Sequence, residues 1–98
     1  MADVGSTESQ ERADRELERL REQVSTIDSK IIEAFNERLG LVAQIKRHKD
    51  EHGIAFIDAE RERWMFDHQS RANRGPLSDE GLRELYGALL ALTKREVG

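Results

Sequence analysis

A helical period without interruption runs through the first half of this sequence and limits what the chain can fold into. Between about Ser9 and His52 there is no proline and a single glycine, Gly40. Apolar residues recur there in steps of three or four, at Leu17, Leu20, Val24, Ile27, Ile31, Phe35, Leu39, Val42 and Ile45. This spacing predicts one amphipathic helix. A helix of about 40 residues is about 60 Å long, which is more than the width of a compact domain of this size.

The rest of the chain is too short to cover such a helix. The sequence has 98 residues, of which 37% are hydrophobic, so it holds one small domain with a thin apolar core. The 46 residues after His52 cannot cover both ends of the rod, and we expect the helix to pack against a second copy of itself. Residues 1–8 are small and polar without periodicity, and we expect a disordered tail there, followed by one domain over residues 9–98.

Two shorter helices are predicted after the long one. Gly53 ends the first helix, and Asp58 caps a second helix of about 15 residues that ends before Asn73. Ser78 caps a third helix that runs nearly to the end of the chain. Its apolar stripe comprises Leu82, Leu85, Tyr86, Leu89, Leu90 and Leu92. Because no strand pattern is found, the predicted fold is all-α, with three helices per subunit, one long and two shorter.

Composition excludes several classes of function. The chain has no cysteine, which rules out disulfide scaffolds, thiolate zinc sites and cysteine nucleophiles. Its net charge of −4 disfavours nucleic acid as a partner. The longest apolar run is far short of the roughly 20 residues that span a bilayer, and no signal-peptide pattern is present, so we expect a cytoplasmic protein without membrane contact. His48 and His52 have the spacing of a helical metal pair, but no third ligand is found and no metal is predicted.

Three cations fall on the apolar side of the long helix. Arg38 lies between Ile31 and Ile45 on one heptad-spaced line, and Lys49 and Arg21 extend the neighbouring line. A buried cation must reach water or meet an anion. One interpretation is that the alkyl stems pack while the charged ends reach solvent or pair with glutamates. The other is a pocket for a small dianion such as a dicarboxylate, because arginine binds carboxylates through two parallel hydrogen bonds.

A second cluster of charges begins the second helix, at Asp58, Arg61 and Glu62. It is either a capped, solvated helix start whose charges pair with one another, or part of the same pocket as Lys49. In the second case, the backbone N–H groups near Asp58 would add hydrogen-bond donors for an anion.

The ordered set of these residues resembles a known family. Leu20-Arg21, Asp28, Glu37-Arg38, Lys49 and Asp58-x-x-Arg61-Glu62 are similar to the motif of the all-α (AroQ-class) chorismate mutases, and the resemblance covers about residues 17–97. It implies an intertwined helical homodimer and an isomerase that rearranges chorismate to prephenate in aromatic amino-acid biosynthesis. It implies no cofactor.

The resemblance also implies a role for each matched residue. Arg38, with Arg21 of the partner subunit, would bind the two substrate carboxylates, and Lys49 would donate to the ether oxygen of the breaking bond. Arg61 would assist at a carboxylate. Asp58 and Glu62 would hold the ring hydroxyl. Thr93 matches a small polar position that touches the ring carboxylate.

One position departs from the family pattern. Val97 stands where the family commonly has glutamine or glutamate as a second donor to the ether oxygen, and Glu96 lies one residue out of register. Losing one such donor costs about 3–4 kcal/mol of transition-state stabilisation. We therefore expect a slow enzyme, one completed by an activating partner enzyme, or one for a related substrate. The alternatives are a 4-amino-4-deoxychorismate mutase, an isochorismate pyruvate lyase, or a non-catalytic helical dimerisation module.

Overall fold

The chain folds into three α-helices. The computed structural model describes the backbone of residues 3–98 and the side chains of residues 7–98. The helices are α1 (Asp3–Glu51), α2 (Ala59–Ala72) and α3 (Asp79–Val97), and no strand occurs in this part of the chain. The predicted all-α class, with one long helix and two shorter ones, is confirmed.

The start of α1 differs from the expected one. The sequence pattern placed a disordered tail over residues 1–8, whereas the helix extends back to Asp3, and residues 1 and 2 lie outside the described residues. Apolar periodicity detects a helix by its buried face, and the residues before Leu17 carry few apolar side chains. Glutamate, glutamine and arginine are frequent there, and all three have high helix propensity.

A glycine ends α1, as predicted. Gly53 has a φ of +66°, the left-handed conformation that favours glycine. The Ile54 N–H donates to the Lys49 carbonyl over 2.8 Å, and the Gly53 N–H donates to the Asp50 carbonyl over 3.4 Å. These two bonds are the Schellman pattern, which satisfies the last carbonyls of a helix and reverses the chain.

The two predicted N-caps are confirmed. An Asp58 side-chain oxygen accepts from the Arg61 N–H at 3.1 Å, and Ser78 Oγ accepts from the Gly81 N–H at 3.0 Å. Between α2 and α3, Asn73 holds the turn. Its amide nitrogen donates to the Leu77 carbonyl over 2.9 Å, and its Oδ1 accepts from the backbone N–H at position 75 over 3.0 Å.

The described residues divide into two compact units, one ending at Glu37 and the other comprising residues 38–98. The first unit is a single stretch of α1. In the second unit, α2 packs against α3, and Leu82 and Thr93, at 8% and 4% exposure, are the only buried residues in the described chain.

No described helix has the length and apolar composition needed to cross a membrane.

Trp64 is not packed between helices within this chain. Its side chain is 48% exposed and stacks on His68, with ring centroids 4.9 Å apart. Met65 and Phe66 are half-buried. Helical periodicity identifies an apolar face of a helix but not whether another element of the same chain covers that face.

Candidate active site

A cavity of about 390 Å³ lies within the second unit. The end of α1, the link before α2, α2 itself and α3 all contribute to its wall. The lining comprises Arg38, Val42, Ile45, Lys49, Phe56, Ile57, Asp58, Arg61, Glu62, Met65, Leu90, Thr93 and Lys94. The four residues from α1 recur at intervals of four, three and four, which places them on one helix face. Apolar side chains form most of the wall surface, and six charged side chains are placed among them.

The structure brings six of the eight predicted site residues to this cavity: Arg38, Lys49, Asp58, Arg61, Glu62 and Thr93. The other two, Arg21 and Val97, are not part of its lining. Arg21 belongs to the first unit, where it is 67% exposed by side chain and lies 4.0 Å from Glu18. Val97 is half-buried at the end of α3.

Arg38 is held by a buried hydroxyl. Its Nη1 donates to Thr93 Oγ1 over 2.8 Å, and that hydroxyl donates in turn to the Leu89 carbonyl over 2.7 Å. Thr93 is only 4% exposed, so the hydroxyl has a fixed position. A guanidinium has five N–H donors, and this bond leaves others for a ligand carboxylate.

Lys49 is held by the turn that follows its own helix. Its Nζ donates to the Phe56 carbonyl over 3.1 Å, and the side chain is half-buried. The chain reverses direction at Gly53, so residues 54–58, which link α1 to α2, run back along the end of α1. This brings the Phe56 carbonyl within reach of Lys49. An ammonium has three donors, and the carbonyl occupies one of them.

The start of α2 supplies the remaining charges. The Arg61 guanidinium lies over the Trp64 ring, with its carbon 4.3 Å from the ring centroid. The negative face of the aromatic ring attracts the cation at this distance. Glu62 pairs with Lys94 of α3, with 2.8 Å between Nζ and Oε1. Asp58 caps the helix, so its carboxylate is engaged at the backbone.

Sequence reasoning missed Lys94 and the Phe56 carbonyl. Lys94 lies four residues after Leu90 on the apolar side of α3, the same kind of signal that singled out Arg38. With it, the lining carries four basic and two acidic side chains, a formal charge of +2 in a chain of net charge −4. Such a cavity favours an anionic ligand.

The structure also shows where His48, His52 and Glu96 lie. The rings of His48 and His52 lie 4.3 Å apart, and no cluster of three metal-ligating side chains forms among the described residues. Glu96 is exposed and lies 3.7 Å from Arg95. Leu90, Thr93 and Lys94 share a helix face with position 97, whereas Glu96 lies off that face and is not part of the cavity lining.

Comparison with known proteins identifies the family. Residues 20–97 match the family described as Chorismate mutase type II. The chain belongs to this family. The matched segment contains all eight predicted site residues, and the resemblance found in the ordered motif is confirmed. No solved structure matches the chain.

Two relatives of the chain carry a second activity in their names. Over 81 residues, it is 27% identical to a bifunctional chorismate mutase/prephenate dehydratase of Pseudomonas aeruginosa and 26% identical to one of Stutzerimonas stutzeri. In each case the match covers 78% of this chain and 22% of the relative. The chain therefore spans about a fifth of the length of these relatives.

Proposed function

We propose that this protein is a chorismate mutase, which converts chorismate to prephenate by a pericyclic rearrangement. The observation that carries the proposal is the convergence of Arg38 and Lys49 on one apolar-walled cavity in a member of this family. Chorismate is a dianion with two carboxylates, and the formal charge of the cavity lining is opposite and equal.

The reaction needs positioning and charge stabilisation rather than proton transfer. The ether C–O bond breaks while a C–C bond forms within the same molecule, so no group is lost and no electron donor is required. A fixed set of cations restricts the flexible side chain of the substrate to its reactive conformer before the reaction. Donors aimed at the ether oxygen stabilise the negative charge that builds there.

Three of the four cations in the cavity lining, and one of its carboxylates, each have a role in this proposal. Arg38, held in place by Thr93, binds one substrate carboxylate. Lys49 donates to the ether oxygen, and Arg61 assists at a carboxylate. Glu62 accepts from the ring hydroxyl. The ligand-binding groups are pre-positioned by hydrogen bonds and ring contacts that the protein already makes, which lowers the cost of ordering them in the transition state.

We further propose that the active protein is a homodimer in which Arg21 of the partner subunit completes the site. Leu82 is the only buried apolar residue among the described residues, too small a core for an independent domain. In the first unit, a stripe of large apolar side chains is about half exposed: Leu17, Leu20, Val24, Ile27 and Ile31. A second copy that covers this stripe would supply the missing core.

A second candidate function follows from position 97. Because Val97 offers no donor and Glu96 lies at the surface, the chain lacks the second ether-oxygen donor that the family commonly has. This departure favours a sibling reaction on the same anion-binding cavity, as a 4-amino-4-deoxychorismate mutase or an isochorismate pyruvate lyase. It equally favours a mutase that an activating partner enzyme completes.

The test offers the purified protein chorismate, isochorismate and 4-amino-4-deoxychorismate separately and identifies the products by mass spectrometry. We expect prephenate from chorismate at the highest kcat/KM of the three. Pyruvate from isochorismate, or rearrangement of the amino compound alone, would assign the chain to the corresponding sibling. A folded dimer that converts none of the three would contradict an enzymatic role and leave a dimerisation module.

A further inference from the structure

One cation of the cavity has no role in the motif that identified the site. Lys94 lies one residue after Thr93 on α3, and its Nζ is 2.8 Å from Oε1 of Glu62 on α2. The two side chains are 40% and 27% exposed, and both line the cavity. Among the side chains that the structure describes, this is the one ion pair that joins two helices.

The other ion pairs of the described chain are of a different kind. Arg21 with Glu18 and Lys46 with Asp50 are pairs within one helix whose acidic partners are more than half exposed. Such pairs contribute about 0–1 kcal/mol to stability, and none of these four residues lines the cavity. The Lys94–Glu62 pair instead fixes where a carboxylate lies in the wall of a cavity.

A lone carboxylate in that wall would oppose the binding of a dianion. Like charges at close range repel, and the repulsion is greater in a partly enclosed site than in bulk water. Lys94 offsets the charge of Glu62 at a distance of 2.8 Å and draws the carboxylate toward α3. Without Lys94 the formal charge of the lining would fall from +2 to +1.

We propose that Lys94 is a positioning residue for the ligand site: it holds the Glu62 carboxylate against α3 and cancels its charge, so that the cavity accepts a dianionic substrate. This inference rests on the proposed function, because it assumes a substrate with two carboxylates. Its specific content is that Lys94 acts through Glu62, and that its contribution disappears when Glu62 carries no charge.

The test is a double-mutant cycle on chorismate binding by the intact protein. Lys94→Gln, Lys94→Arg, Glu62→Gln and the double variant Lys94→Gln/Glu62→Gln are compared by calorimetric Kd and by KM and kcat. We expect Lys94→Gln to raise Kd and KM about tenfold, the order that one uncompensated like charge produces, with a smaller effect on kcat. Lys94→Arg retains binding, and the double variant binds more tightly than Lys94→Gln alone.

Arg95→Gln is the matched control, because Arg95 adjoins Lys94, has the same charge and is 75% exposed by side chain. We expect its Kd to stay within twofold of the wild type. If the wild-type protein converts chorismate but Lys94→Gln also binds within twofold, or if the two single effects simply add, Lys94 does not act through Glu62 and the inference is wrong while the proposed function stands. If the wild type binds no chorismate at all, both are wrong.

Discussion

Arg38 and Thr93, which lie 55 positions apart in the chain, are joined by a hydrogen bond of 2.8 Å. The bond links the C-terminal third of α1 to α3 in the wall of the cavity. Because Thr93 is buried and its hydroxyl also donates to the Leu89 carbonyl, the acceptor cannot turn away from Arg38. The guanidinium is therefore positioned before any ligand arrives.

Removing that acceptor should weaken catalysis without removing the arginine. Thr93→Val keeps the shape of the side chain but leaves Arg38 without its partner, and we expect kcat/KM to fall about tenfold, as the loss of one hydrogen bond to a charged group implies. Thr93→Ser keeps the hydroxyl and should stay within a few-fold of the wild type. Steady-state kinetics of both variants measures this difference. Equal activity of Thr93→Val and Thr93→Ser would show that the bond does not position Arg38.

If the two subunits of the dimer share each active site, two variants that are inactive alone should restore activity when they are mixed. If each site combines Arg38 of one subunit with Arg21 of the partner subunit, Arg21→Ala and Arg38→Ala are each inactive alone. A mixed dimer of the two contains one intact site and one doubly damaged site. After unfolding and refolding together at equal concentrations, half of the dimers are mixed, so about a quarter of the wild-type activity should return.

The control for this experiment is each variant refolded alone, which should recover no activity. An absence of recovery from the mixture, with mixed dimers demonstrated by native mass spectrometry, would place both arginines in the same subunit's site or remove Arg21 from it.

The exposed apolar stripe of the first unit should be the dimer contact. Ile31 is 58% exposed within the chain, and a glutamate there would be buried without a partner if a second copy covers it. We expect Ile31→Glu to lose the dimeric mass in light scattering and to lose activity. Ser29→Glu places the same charge on the opposite face of α1 and should remain an active dimer. A monomeric wild-type protein that is folded and active would contradict this assembly.

Trp64 should support Arg61 and report ligand binding. The guanidinium carbon lies 4.3 Å from the ring centroid, and a contact of this kind at an exposed site contributes about 0.5–1 kcal/mol. Trp64→Leu should therefore lower kcat/KM about two- to fivefold, whereas Trp64→Phe keeps an aromatic face and loses less. Because Trp64 is the only tryptophan, its fluorescence should change as chorismate is titrated. Identical kinetics for the leucine and phenylalanine variants would contradict a role for the ring.

The features that local chemistry determines were predictable from the sequence. Asp58 and Ser78 cap helices because their side chains accept from N–H groups three residues on, and Gly53 ends α1 because it adopts a positive φ. The convergence of Arg38 and Lys49 on one face was also predictable, since eleven residues is close to three full turns of a rigid helix.

The features that depend on contacts between distant segments were not predictable. The Lys94–Glu62 pair and the bond from Lys49 to the Phe56 carbonyl depend on how α3 and the link pack against their neighbours. The exposure of Trp64 was not predictable either, because periodicity identifies an apolar face without identifying what covers it. Thr93 was selected only through the family motif, and its link to Arg38 required coordinates.

The most direct test of the account is the rate of chorismate consumption by Lys49→Ala and the wild type, measured by absorbance on protein of confirmed dimeric mass. Arg47→Ala, an exposed change two residues away on α1, serves as the control. We expect prephenate from the wild type and from Arg47→Ala, and a loss of about 10²–10³ in kcat for Lys49→Ala, because the proposed donor to the ether oxygen is gone. A wild type that consumes no chorismate, or a Lys49→Ala variant as fast as the wild type, would contradict the proposal that this cavity catalyses the rearrangement.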